Sequence, residues 1–159
     1  MPEHKKTPIG TEKYISNACI VYYKFEKMYR QNYNQRPSYK SRGEERIAEF
    51  LEGQNIVYQY EYPLAIKDRG QVRLWYPDFR LPEYGMIIEY FGMNGNASYN
   101  EQILHKIQTY QEAGVDGIYL LESSLRGDWQ GGILSRIEQS LEGKLRKISS
   151  KYHNINAED

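Results

Sequence analysis

The sequence predicts a mixed α/β domain in which helices flank a sheet, and three observations carry that expectation. Apolar residues recur at helical spacing in four separate segments. Three stretches between residues 56 and 91 have strand character and are divided by turn-forming residues. After the last of them, a helical segment and a short apolar run have the order of a crossover between neighbouring strands.

Taken in order, residues 1 to 10 carry no periodic pattern and are expected to be loose. From Glu12 to about Tyr33, Ile15, Cys19, Tyr22, Phe25 and Tyr29 repeat near helical spacing, and Asn34-Gln35-Arg36-Pro37 closes the segment. This is an added N-terminal helix. A second helix opens at Ser41, which with Glu44 has the spacing of a capping box ahead of Ile47, Ala48, Phe50 and Leu51, and Gly53 ends it.

Ile56 to Pro63, with tyrosines at alternate positions, Val72 to Phe79 after Asp68-Arg69-Gly70, and Met86 to Phe91 after Pro82-Glu83-Tyr84-Gly85 are expected as consecutive strands of a meander. Tyr99 to Ala113 is a helix stopped by Gly114, Gly117 to Leu121 is a short buried strand, and a final helix covers about Gly132 to Ile148. The expected organisation is a basic, Tyr-rich helical extension over 1–40, a core of order α-β-β-β-α-β with a closing helix over 41–150, and a flexible tail over 151–159.

Length and charge bound the function. A chain of 159 residues buries a core without disulfide help, and a single cysteine, Cys19, forms no internal disulfide. No secretory leader or long apolar run is read, so the expectation is a cytoplasmic protein without a membrane partner. Net charge is zero, but residues 1 to 42 hold nine Lys or Arg against three Glu, and the remainder is acidic by the same margin. A basic arm on an acidic body fits either a polyanion partner or a solvated leader. Sixteen tyrosines are available for core packing or base stacking, and those among Lys13, Lys24, Lys27, Arg30 and Arg36 have the mixture of a nucleic-acid surface. His4, His105 and His153 are too scattered for a zinc set, and no phosphate-cradling GxxxxGK[ST] sequence occurs.

Three carboxylates lie where carboxylates are costly. Glu44 falls inside the helical arc of Ile47, Ala48 and Leu51, so it faces the core side, either as a capping group or as a functional acid. Asp78 ends a row formed with Val72, Leu74 and Tyr76 on one strand face, or else opens a turn after Pro77. Glu89 lies between Ile87 and Phe91 on a strand whose other face is also apolar, which marks a central strand. A buried carboxylate there needs an ion-pair partner or a cation. Together the three favour a hard divalent ion held by oxygens, Mg²⁺ or Mn²⁺.

The runs Ser41-Arg42-Gly43-Glu44-Glu45-Arg46-Ile47-Ala48-Glu49-Phe50-Leu51, Tyr76-Pro77-Asp78-Phe79 and Ile87-Ile88-Glu89-Tyr90-Phe91-Gly92 resemble the core of the PD-(D/E)XK nucleases over roughly residues 41 to 125. The resemblance implies a restriction-endonuclease-like fold, with a mixed sheet flanked by helices, and hydrolysis of phosphodiester bonds, with DNA the expected nucleic acid. It implies Glu44 as the helical acid, Asp78 and Glu89 as the metal-binding pair, and the Tyr90 carbonyl as a further ligand. The chain departs from the pattern at Phe91, where the family has a lysine. Related subfamilies move that lysine to the following helix, where Lys106 lies in a narrow arc with Tyr99, Ile103 and Tyr110. By the same resemblance Tyr99 and Tyr110 steady the site. The charges and tyrosines of the segment from Lys13 to Arg42 lie outside that catalytic core, so Lys24, Lys27, Arg30 and Arg42 are expected to contribute substrate affinity. A homodimer is compatible with this reading. A non-catalytic nucleic-acid-binding module on the same fold, and an interaction protein using its basic arm, are the alternatives.

Overall fold

The structure, a computed structural model, describes residues 36–92 and 95–155. The helix expected over 12–33, with Lys24, Lys27 and Arg30, lies outside the described residues. Helix α1 (Arg42–Gly53) is followed by β1 (Gln59–Tyr60), β2 (Leu64–Asp68), β3 (Gln71–Trp75), β4 (Phe79–Leu81) and β5 (Met86–Phe91). Helix α2 (Ala97–Glu112), β6 (Asp116–Leu121), a 3-10 turn (Glu122–Arg126) and α3 (Trp129–Ile155) complete the order.

The mixed α/β class is as expected. The main sheet has strand order β1-β4-β5-β6, antiparallel except for the parallel β5–β6 pair, which α2 connects. Ser41 caps α1 from extended backbone, its Oγ accepting the Glu44 amide at 3.1 Å. Ile47, Ala48 and Leu51 are fully buried on the arc that their spacing defines. They share one core with Tyr60 and Phe79, with Ile88 and Ile118 at paired positions of β5 and β6, and with Trp129, Ile133 and Ile137 of α3. Since neighbours on a strand point to opposite faces, Glu89 is turned away from this core, toward α2.

The meander is corrected. Val72 to Phe79 is not one strand: Gln71–Trp75 pairs with Leu64–Asp68, a strand the sequence reading missed, in a separate two-stranded sheet. Arg69 and Gly70 both have positive φ at the hairpin tip, the geometry a tight two-residue turn demands. The break at Tyr76-Pro77 follows from proline, which donates no ladder hydrogen bond and restricts the residue before it. Ile56 to Pro63 contributes only Gln59 and Tyr60 to the sheet. Its partner β4 is three residues long, and Glu61 turns the chain with a left-handed φ of 47°. The hairpin residues Pro63–Tyr76 belong to one compact unit, and Tyr39–Tyr62 with the chain from Pro77 onward form the other. α3 starts at Trp129 and continues past the expected end at Ile148 to Ile155.

Candidate functional site

Glu89 is the most enclosed carboxylate of the described residues, at 1 % exposure in the central strand β5. Two side chains from α2, one helical turn apart, hold it. The Tyr110 hydroxyl donates to Oε1 at 2.7 Å, and the Lys106 ammonium donates to Oε2 at 2.7 Å. Burial, reinforced by the charge of Glu89, pushes the Tyr110 hydroxyl above its ordinary pKa and keeps it a donor. Lys106 Nζ also stands 5.8 Å from the centroid of the Phe91 ring.

Asp78 sits just ahead of β4, and the Phe79↔Ile88 pairing brings it beside Glu89. Its Oδ2 accepts the Tyr90 amide at 2.7 Å. Burial is the main cause that pushes its carboxyl up to about 7, and the negative charge of Glu89 adds to it. The Tyr90 N–H and the Lys106 charge oppose that rise, and Glu44 contributes to it in the same sense as Glu89. The expectation that Asp78 ends a face with Val72, Leu74 and Tyr76 does not hold, because the chain breaks at Pro77 and Val72 is 60 % exposed.

Glu44 is buried at the first turn of α1. Ser41 Oγ donates to its Oε1 at 3.0 Å, while the Lys40 amide at 3.2 Å and the Tyr60 hydroxyl donate to Oε2. Capping and core-facing acid are thus one geometry. Tyr60 is a neighbour of Glu44 that the sequence alone does not single out. Its signal was present in the alternation of tyrosines over 56–63, but which carboxylate it meets depends on tertiary placement.

Asp78 senses the charge of both Glu89 and Glu44, but the three carboxylates do not converge. Among the described residues, no group of three or more His, Cys, Asp or Glu side chains is placed to hold a metal ion. The reason is legible in the contacts: Glu44 arrives on α1, which packs with Ile88 on one face of the sheet, and Glu89 faces α2 on the other. Each is satisfied by its own donors. The chemistry of the Asp78–Glu89 pair still fits a hard cation, since two oxygen-donor side chains lie beside each other and ionisation of one is opposed by the other.

Tyr99 is half-buried in the first turn of α2, where its amide donates to the Asn96 cap at 2.7 Å. Arg42 is exposed at the start of α1. A cavity of about 310 Å³ opens beside it, lined by Arg46, Tyr90, Glu122 and Arg126 among others. Arg46 and Arg126 are neighbours that the sequence reading did not select. A larger cavity, about 600 Å³, follows the edge strand β6 and contains none of the three carboxylates. No described helix is long and apolar enough to cross a membrane. No protein family, curated protein or solved structure matches the chain. The functional reading therefore rests on the chain's own residues.

Proposed function

We propose that this chain is a Mg²⁺- or Mn²⁺-dependent nuclease with a restriction-endonuclease-like core, hydrolysing phosphodiester bonds of DNA. The observation that carries the reading is the pairing of half-buried Asp78, just ahead of β4, with fully buried Glu89 of β5, and the approach of Lys106 and Tyr110 to Glu89 from the crossover helix. Ionised carboxylates in such a setting are costly without compensating positive charge. A lysine alone neutralises one of them.

Asp78 and Glu89 would hold the cation. When bound, it supplies a lowered pKa for attacking water and neutralises charge on the phosphate. Tyr110 fixes one Glu89 oxygen and with it the orientation of the carboxylate. Lys106 keeps its ammonium beside that carboxylate, where it offsets negative charge that grows on the phosphate during attack. The Tyr90 amide orients Asp78. Glu44, engaged by Ser41 and Tyr60, acts through the position of α1 rather than as a ligand in this arrangement. No protein nucleophile is required, and hydrolysis proceeds without a covalent intermediate.

Incubation of linear, circular, single-stranded and branched nucleic acids with Mg²⁺ or Mn²⁺ tests the reading. A second reading has its own support: Lys106 already compensates Glu89, and the carboxylates do not converge on a common point. On that account the chain is a non-catalytic nucleic-acid-binding module. Salt-dependent binding with no cleavage of any substrate in the panel separates it from the nuclease.

A further inference from the structure

The cavity beside Tyr90 has a chemistry of its own. Its wall includes Arg42 and Arg46, one turn apart on α1, and Arg126 at the end of the 3-10 turn, against the carboxylate of Glu122. Arg46 is fixed rather than free to sweep solvent: its Nη2 donates to the Leu125 carbonyl at 3.1 Å, and its guanidinium stands 5.6 Å from the centroid of the Trp129 ring. All three arginines are exposed, and Arg46 is anchored in this way. The start of α1 lies at the same wall, so its helix dipole adds positive potential to that of the guanidiniums.

Tyr90 supplies the remaining side. Its ring lies against the backbone of α1 at Gly43, where a Cβ atom would overlap the ring, so glycine is what lets the phenol reach this wall. The same residue donates its backbone N–H to Asp78. One residue of β5 therefore borders both the carboxylate pair and the arginine cavity. At about 310 Å³ the cavity is at the small end of the range for ligand pockets, suited to a single charged unit rather than an extended cofactor. Guanidinium groups recognise phosphate through paired, charge-assisted hydrogen bonds, and a phenol offers a further donor and a face for a sugar or base.

We propose that this cavity binds a phosphate of the nucleic-acid strand, the neighbour of the one that meets Asp78 and Glu89. Arg46 supplies its anchored guanidinium, and Arg42 and Arg126 close on the phosphate from either side. The proposal rests on the nuclease reading for the position of the scissile bond, but its own content is affinity. It sets the register of the strand relative to the carboxylates.

The test is binding of 3′-labelled single-stranded oligonucleotides to the full chain in EDTA, measured by anisotropy across a salt series. The Arg42→Gln/Arg126→Gln variant is expected to bind at least about tenfold more weakly, with a salt slope reduced by roughly 0.7 per lost phosphate contact. The Arg126→Lys variant, which keeps the charge but loses the paired hydrogen bonds, should bind with intermediate affinity and an unreduced salt slope. A 5′-phosphorylated strand that outcompetes its 5′-hydroxyl counterpart only on the unaltered protein assigns the cavity to a terminal phosphate, and equal binding assigns it to an internal one. Unchanged affinity and slope in the folded double variant would overturn the proposal, as would absence of binding by the unaltered protein. Arginine-dependent binding with no cleavage under any metal leaves the cavity assigned and removes the nuclease reading. Cleavage with arginine-independent binding does the reverse.

Discussion

The Lys106 ammonium meets the Glu89 carboxylate at 2.7 Å from a different element of the fold, while it stands over the ring of Phe91 on Glu89's own strand. A lysine at position 91 would point the same way as Glu89 along β5. α2 brings an ammonium to the same place from above the sheet. Lys106 is 32 % exposed and Glu89 only 1 %, so the lysine is the side of the pair that can turn toward a substrate.

Lys106→Met keeps the apolar stem and removes the charge. Turnover should fall by a factor on the order of a hundred. Stability should fall as well, by roughly 3 kcal/mol, because a buried carboxylate loses its ionic partner. Single-turnover cleavage and denaturant unfolding measure the two effects separately, and near-normal turnover would make the lysine a packing residue.

Tyr110→Phe isolates the other donor to Glu89. The ring is fully buried, so its packing is retained while one hydrogen bond to a charged acceptor is lost. The expected cost is about 1–3 kcal/mol in urea unfolding. A variant as stable as the parent would mean that the hydroxyl does not hold Glu89 in solution.

Asp78 sets a pH dependence for the metal-free protein. Its folded-state carboxyl keeps a proton up to about pH 7, against an ordinary value of 3.8. Between those values the folded protein binds a proton that the unfolded chain has released, so this contribution to stability is complete below about pH 4 and is lost as pH rises through 7. Asp78→Asn removes that loss. At pH 8 in EDTA it should be more stable than the parent by a few kcal/mol, at roughly 1.4 kcal/mol per unit of displacement, and the gain should vanish near pH 4. Parallel stability curves for the two proteins would contradict the cause assigned to the shift.

Gly43→Ala places a Cβ atom within about 2.5 Å of the phenol end of Tyr90. The ring must move away from α1, at a cost of about 1–3 kcal/mol typical of overpacking. Oligonucleotide affinity should drop with it, since Tyr90 walls the arginine cavity. Melting temperature and anisotropy on one preparation check both, and an unchanged melting temperature would show that the contact yields freely.

Much of this arrangement is legible in the residues themselves. Ser41 and Glu44 announce the start of α1, and the two apolar faces around Glu89 announce a central strand. The helical arc shared by Lys106 and Tyr110 predicts that both approach the sheet, and both donate to Glu89. The split at Pro77 was less visible, because apolar alternation runs through Tyr76 although the pairing partners change from Leu64–Asp68 to β5. Strand periodicity reports a face, whereas pairing depends on distant residues. The meeting of Tyr60 with Glu44, and of Arg46 with Leu125 and Trp129, likewise joins segments whose sequences contain no sign of each other.

Cleavage of covalently closed plasmid DNA in Mn²⁺, compared between the parent protein and its Asp78→Asn and Glu89→Gln variants, tests the central claim most directly. The account predicts nicking or linearisation by the parent that requires the divalent ion, and background activity in both folded variants. A parent inert toward the plasmid and toward linear, single-stranded and branched substrates, or cleavage that survives in either variant, would contradict it.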